Sequence, residues 1–265
     1  MRAQQLGGAP SILPSLVADP SALVPFILIG FAAQLVDGAL GMAYGQISST
    51  LLISLGVPPA AASAGVHTAE TFTTAVSGIS HTAHRNVDWK LFFRLAVPGV
   101  IGGVLGAYVL TRVDAGIAKP FVLAYLTILG LYLFYRGVMH RHTERQPKIV
   151  SPLGLIGGFL DAAGGGGWGG IVTSNLLVQG SNPRKTIGTV NTAEFFLTVT
   201  ISATFLATLG WKAFTVATTG LLIGGVIAAP FGAWIAKRVN PDRLLTFVGA
   251  LLTAISAYGL YRAVA

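Results

Sequence analysis

The chain has 265 residues, 53% of them hydrophobic and only 10% charged, with 34 glycines and a mean hydropathy of +0.71. That balance excludes an ordinary soluble domain and puts the protein in a membrane, while the absence of cysteine excludes disulfides, thiolate metal centres and a cysteine nucleophile. A net charge of +8 would suggest nucleic acid in a soluble protein; here it reports basic loops on the cytoplasmic side of a bilayer, and no nucleic-acid partner is expected.

Residues 1–20 carry three prolines and lack the basic start and compact apolar core of a cleavable signal, so they read as a disordered lead-in. A first transmembrane repeat over 21–138 opens with two short apolar segments, near 22–38 and 42–55. Between them lies the glycine break Asp37-Gly-Ala-Leu-Gly41-Met-Ala-Tyr-Gly45. Three longer apolar segments follow, near 60–83, 92–111 and 116–138, each reaching the ~20 residues a helix needs to cross the hydrocarbon. A cytoplasmic linker is expected over 139–150. The second repeat, 151–265, has short segments near 152–163 and 168–179 around the break Asp161-Ala-Ala-Gly-Gly165-Gly166-Gly-Trp168-Gly169-Gly170, then long ones near 186–208, 213–236 and 243–263.

The two halves are copies. A shift of 124 residues lays Gly30–Thr74 onto Gly154–Thr198 without a gap, pairing Asp37 with Asp161, Gly41 with Gly165, Gly45 with Gly169, Pro59 with Pro183 and Thr68-Ala69-Glu70 with Thr192-Ala193-Glu194. A shift of 126 continues the match, pairing Arg112-Val113 with Arg238-Val239 and Tyr135-Arg136 with Tyr261-Arg262. Shared apolar composition does not put acidic residues in register. Paired halves with a glycine-interrupted apolar segment in corresponding positions point to the binding site of a secondary transporter.

Charge chooses the topology. If each short pair returns the chain to its starting side, 12 of the 17 basic residues share one face, among them Arg85, Lys90, Arg94, Lys148, Arg184 and Lys185. A single crossing per pair divides them almost evenly, which the positive-inside rule disfavours. The expected fold is therefore all-α and integral to the membrane: two inverted repeats, each a pair of short Gly-broken helices plus three long transmembrane helices, 8–10 segments in total. Both termini lie outside the cell membrane. The short pairs are either half-helices meeting in the membrane or re-entrant hairpins.

Broken backbone is tolerated in lipid only where it is buried in protein or lines a cavity, so the glycine breaks are where a substrate would meet backbone. The residues placed against it are Gly41, Gly45, Gln46, Ser48, Ser49, His67 and Thr68 from the first half. From the second come Gly165, Gly166, Gly169, Thr173, Ser174, Asn191 and Thr192. Neutral donors beside helix N-termini suit a small oxyanion without burying a lysine; the alternative is that these hydroxyls only join neighbouring helices. Asp37 and Asp161 stand where they can cap the following half-helix or couple a cation or proton. Glu70 and Glu194, at helix centres, read as pathway residues or proton carriers, or else as buried hydrogen-bonded acids locking the repeats together. These four are the coupling or gating candidates.

His67 and Glu70 have the spacing of a carboxylate-bridged metal helix, but the repeat partner of His67 is Asn191, so the second histidine of a paired site is missing. No metal and no cofactor is expected, and no catalytic residue is assigned. Gly99, Gly102, Gly103 and Gly106, with Gly220, Gly224, Gly225 and Gly232, read as close helix packing.

The twofold repeat, the acid before each glycine break, the small-xxx-small helix and the stretch Gly188-Thr-Val-Asn-Thr-Ala-Glu194-Phe-Phe resemble the sulfite exporter TauE/SafE family over residues 25–264. That resemblance implies a permease for a small sulfur-containing anion such as sulfite, a sulfonate, sulfoacetate or thiosulfate. The expected partners are that anion, the lipid bilayer and a coupling proton, with a homo-oligomer also compatible. Alternating access between the repeats is the expected mechanism. The competing readings are an anion channel, a permease for another small oxyanion, and a membrane-embedded hydrolase, the last lacking any G-x-S-x-G nucleophile motif.

Overall fold

The structure is a computed structural model that describes residues 20–139, 146–213, 216–236 and 241–264. The expected lead-in over 1–19, the centre of the linker at 140–145 and the basic pair Lys237-Arg238 lie outside the described residues.

Among the described residues ten α-helices follow in two matching sets of five. The first set is α1 (Val24–Leu40), α2 (Tyr44–Ser54), α3 (Pro59–Ala83), α4 (Trp89–Arg112) and α5 (Ala115–Val138). The second is α6 (Ser151–Gly164), α7 (Ser174–Val178), entered through a π-helical turn at Gly169–Thr173, then α8 (Pro183–Leu209), α9 (Val216–Ala236) and α10 (Pro241–Val264). No strand occurs among the described residues. Starts are set locally. Asp88 accepts the N–H groups of Lys90 and Leu91 to open α4, Asp114 that of Gly116 to open α5, and Asn182 that of Lys185 to open α8. Proline occupies the first turn of α3, α6 and α8, where its missing N–H costs nothing.

Among the described residues four helices are long and apolar enough to cross a membrane: α4, α5, Lys185–Leu209 of α8 and Leu245–Val264 of α10. Helix α9 contributes a shorter apolar stretch, Val216–Ala229. Helix α3 has the length, 25 residues, but carries Ser63, His67, Thr68, Glu70, Thr71, Thr73 and Thr74 and falls short on composition. Ser63, His67, Glu70 and Thr74 of that set are buried, and the other three threonines are partly buried. Ala62 through His67 are buried, so α3 is the polar spine of the interior.

The halves exchange partners. Helix α4 packs on α6, and its copy α9 packs on α1; α3 packs on its own copy α8, and α5 on its own copy α10. Small residues allow this. A Cβ on Gly102 would run into Leu155 O, one on Gly158 into Gly99 O, and one on Gly224 into Ile27 O, so backbone lies on backbone in both exchanged pairs. Along α3 and α8, Ser77 bonds Asn191, Gly78 lies against Thr192 and the His67 ring against that of Phe205. The pairing advances on one helix as it retreats on the other. The same holds for α5 and α10, where Gly130 meets Thr253 and Gly137 meets Thr246.

The second short pair is a hairpin whose ends are tied together. Gln179, just past α7, accepts the N–H groups of Lys148 and Ile149 at 2.9 Å each and returns an N–H to Ile149 O at 3.2 Å. Asp88 and Lys90, Gln146 and Pro147, and Gly180 and Ser181 line one cavity, so the loops before α4, before α6 and before α8 share one end of the molecule.

Candidate functional site

Helix α6 stops because Gly165 turns left-handed, with φ of 77°, sending its N–H back to Asp161 O. Gly166 N also reaches Asp161 O, at 2.7 Å. The last carbonyls of a helix have no intrahelical partner, and here they are buried, where leaving them unpaired would be costly. Three side chains of the first half take them. Ser63 donates to Ala162 O at 2.8 Å, Ser49 to Gly165 O, and Tyr125 to Gly166 O at 3.1 Å. The Asp161 carboxylate then spans the gap: Oδ1 accepts Trp168 N at 2.8 Å, and Oδ2 pairs with His67 Nε2 at 2.9 Å, both residues being buried. His67 is fixed from its other side by Ser63 O, 2.7 Å from Nδ1.

The first break repeats the plan with weaker ties. Gly41, φ 67°, donates to Asp37 O at 2.6 Å, and Asp37 Oδ1 accepts Tyr44 N at 3.4 Å. In both halves the carboxylate reaches the N–H seven residues on, at the start of the next half-helix, which is the capping geometry the sequence offered as one alternative. The halves differ in what holds the aspartate. Asn191 stands where His67 would be, and it donates to Ser77 Oγ at 3.2 Å, so Asp37 gains no such partner. Ala43, φ 94°, holds a conformation that its copy, Gly167, adopts as a glycine.

The two breaks lie against each other. A Cβ on Gly45 would sit 2.8 Å from Gly166 Cα, one on Gly169 would sit 2.9 Å from Met42 Cβ, and one on Gly170 would sit 2.5 Å from Gln46 Nε2. The first two contacts are images of each other under the repeat, and the third joins a residue to its own copy. Three side chains of the half-helices that follow the breaks are buried without a protein partner: Gln46 through Nε2, Ser48 through Oγ and Thr173 through Oγ1. The Glu70 carboxylate lies beside Gly45, its Oε1 3.1 Å from where a Cβ on that glycine would stand, and Glu194 is near enough to Asp37, Asp161 and Glu70 for the charges to act on one another. All four acids thus bear on one region, where His67 pairs with Asp161.

Other candidates are placed differently. Ser48 is fully buried on α2; Ser174 lies 3.9 Å from Met42 Sδ. Thr68 and Thr192 spend their hydroxyls on their own helices, bonding Ala64 O and Gly188 O at 2.7 Å each. Sequence reasoning missed Ser63, Tyr125, Tyr44 and Trp168. Tyr44 OH bonds Leu221 O at 3.2 Å and Trp168 Nε1 bonds Val190 O at 3.2 Å, so the residue that opens each half-helix is anchored to a neighbouring helix. An aromatic residue at corresponding positions of both breaks was the available signal.

The arrangement offers neutral donors and half-helix N-termini in a buried place, with acids close by. That combination can hold a small anion and exchange a proton beside it.

The profile of the sulfite exporter TauE/SafE family matches residues 26–259. The chain is 42% identical over 244 residues, 89% of its own length and 81% of the other's, to "Probable membrane transporter protein YtnM" of Bacillus subtilis (strain 168). It is 28% identical over 111 residues, 42% of this chain and 23% of the other, to "Sulfite exporter TauE/SafE family protein 3" of Arabidopsis thaliana. No solved structure matches the chain.

Proposed function

Since the chain belongs to the sulfite exporter TauE/SafE family and is a membrane transporter, we propose that it is a secondary permease for a small sulfur-containing anion, working by alternating access between two inverted repeats. The observation that carries this reading is the meeting of the two glycine breaks, with Gln46 Nε2 and Thr173 Oγ1 buried beside them and unpaired. Buried polar groups are normally satisfied, and each orphan asks for a partner such as a bound ion. Sulfite, sulfonates, sulfoacetate and thiosulfate all present acceptor oxygens that such donors and the free N–H groups of a half-helix would hold.

The inverted arrangement, with repeats over 21–138 and 151–265, is supported by the opposed course of α3 and α8 and by the Gln179 clasp that returns the second short pair to its starting side. Placed by the positive-inside rule, the end carrying Lys90, Arg94, Lys148 and Lys185 is cytoplasmic and both termini lie outside the cytoplasmic membrane.

Coupling follows from electrostatics. An anion brought next to Asp37, Glu70, Asp161 and Glu194 is repelled in a low-dielectric interior. A proton taken up with it removes the conflict. Glu70 is the carrier best placed, because its carboxylate lies against Gly45 in the first break; neutralising Glu70 removes a negative charge from beside the backbone the substrate would use. The test is uptake of radiolabelled sulfite into proteoliposomes under an imposed pH gradient, with thiosulfate, sulfoacetate, sulfate and phosphate as competitors. Saturable uptake blocked by sulfur anions is expected, with loss of the gradient's effect in Glu70→Gln or Glu194→Gln. Unchanged gradient dependence in both variants would sink the coupling, and no flux of any sulfur anion would remove the substrate assignment.

A further inference from the structure

At the end of the molecule where the loops before α4, α6 and α8 converge lies a cavity of about 370 Å³, lined by Asp88, Lys90, Arg94, Gln146, Ser181 and Lys185 among others. Three cations face one carboxylate, and that carboxylate is spent on the N–H groups of Lys90 and Leu91. The cations are tethered without being neutralised. Lys185 Nζ donates to Arg85 O at 2.7 Å and reaches Val87 O at 3.5 Å, and Arg94 reaches Lys148 O at 3.4 Å. Among the described residues none of the three forms an ion pair. Basic residues that only obeyed the positive-inside rule would be spread over solvated loops; these come from two helices, α4 and α8, distant in the chain, and face one concave space.

The cavity also stands over the interior site. Asp88 N donates to Thr189 Oγ1 at 2.8 Å, one short step along α8 from Asn191, and Ile187 and Asn191 both lie against Gly41 of the first break. From Lys185 to Asn191 is six residues of helix, about 9 Å.

We propose that this cavity is an anion antechamber, a second and shallower binding site that collects the small oxyanion at this face before it passes to the glycine breaks. The inference rests on the permease reading above. A cleft lined by one sign of charge raises the local concentration of counter-ions, and the effect is screened by salt. The antechamber therefore lowers KM for substrate arriving from its own face, leaves the opposite face alone, and does not touch the maximal rate. A lipid phosphate presents the same oxygens, so the test separates the two sources.

In the first arm, KM is measured in intact cells and in inside-out vesicles for the wild type and for Lys90→Gln/Arg94→Gln. The variant should raise KM roughly fivefold in the orientation that presents the cavity to substrate and leave the other unchanged. The wild-type KM on that face should rise with ionic strength. Equal shifts on both faces, or no shift with transport intact, would overturn the antechamber. In the second arm no transport is needed. Trp89, half exposed between Asp88 and Lys90, is followed by iodide and by acrylamide quenching in lipid-free zwitterionic micelles, in a Trp211→Phe/Trp234→Phe background. Iodide quenching should fall about twofold in the double variant while acrylamide quenching stays the same. Equal iodide quenching in wild type and variant, or a difference seen only when anionic lipid is added, overturns the proposal whether or not the wild type carries sulfite. Absence of wild-type flux alongside the iodide difference would strike the substrate assignment alone.

Discussion

Thr74 and Thr198 bring their hydroxyl oxygens to 3.4 Å of each other in the middle of α3 and α8, and they stand 124 residues apart, the period of the duplication. A residue that touches its own copy lies on the symmetry axis relating the halves. Gln46 against Gly170 marks a second such point. The axis therefore runs through both the helix pair that carries the glutamates and the place where the glycine breaks meet.

The threonine contact itself is weak. Each hydroxyl already serves a carbonyl one turn back on its own helix, Thr74 on Glu70 O at 2.6 Å and Thr198 on Phe195 O at 3.1 Å. Membrane hydrogen bonds average about 0.6 kcal/mol, and the coupling between Thr74→Val and Thr198→Val in a thermal-unfolding cycle should not exceed that. A coupling several times larger would mean that the hydroxyls, and not shape, hold α3 to α8.

Shape is tight at the breaks as well as in the exchanged helix pairs. Gly45→Ala puts a methyl 2.8 Å from Gly166 Cα and 3.1 Å from Glu70 Oε1, and Gly166→Ala adds a φ of 137° that alanine resists. Overpacking costs about 1–3 kcal/mol, so each variant should lose stability and transport together. Gly78→Ala is the control, since its methyl meets Thr192 Cα at an ordinary 3.5 Å. Thermal unfolding in detergent and flux in proteoliposomes check both. Full flux through Gly45→Ala would show that the breaks separate during transport far enough to make the contact irrelevant.

His67 and Asp161 supply a sharper test. His67→Asn copies the residue the other repeat uses and leaves Asp161 Oδ2 buried with no donor, at a cost of about 1–3 kcal/mol. Adding Asp161→Asn removes the charge that needed a partner, and the double variant should recover part of the loss. If the two costs simply add, the pair contributes nothing beyond its separate contacts.

Why this pair was illegible in the sequence is instructive. His67 and Asp161 are 94 residues apart in different repeats, and the register that aligns the halves pairs His67 with Asn191 and Asp161 with Asp37, so the symmetry draws attention away from a contact that breaks it. The breaks themselves were legible, because an aspartate followed by glycines inside an apolar run has little else to mean; the helix spans agree with the sequence expectation to within a few residues for the same reason. The basic residues pointed to short pairs that return, but the clasp on the second pair was not legible, since it depends on Gln179, a polar residue in a loop with no periodicity to mark it. Nor was the burial of α3, whose Ser63 bonds a carbonyl freed by the second break, a need that arises only once the halves are packed.

Gln46 and Thr173 separate binding from folding. Most buried polar groups cost stability when removed, because they leave a partner unpaired; these two have no protein partner to leave. Replacing an unsatisfied buried group by an apolar one of similar shape is neutral or stabilising. Gln46→Leu and Thr173→Val should therefore keep or raise the melting temperature. If the donors serve the substrate, the same changes raise KM for sulfite, each by roughly tenfold for the loss of one charge-assisted hydrogen bond of about 1.5 kcal/mol. Two residues with no role would lose neither, and two with a structural role would lose both. The combination of intact stability with weakened transport singles out a ligand as the missing partner, and flux titrations set beside unfolding curves of the same preparations decide it.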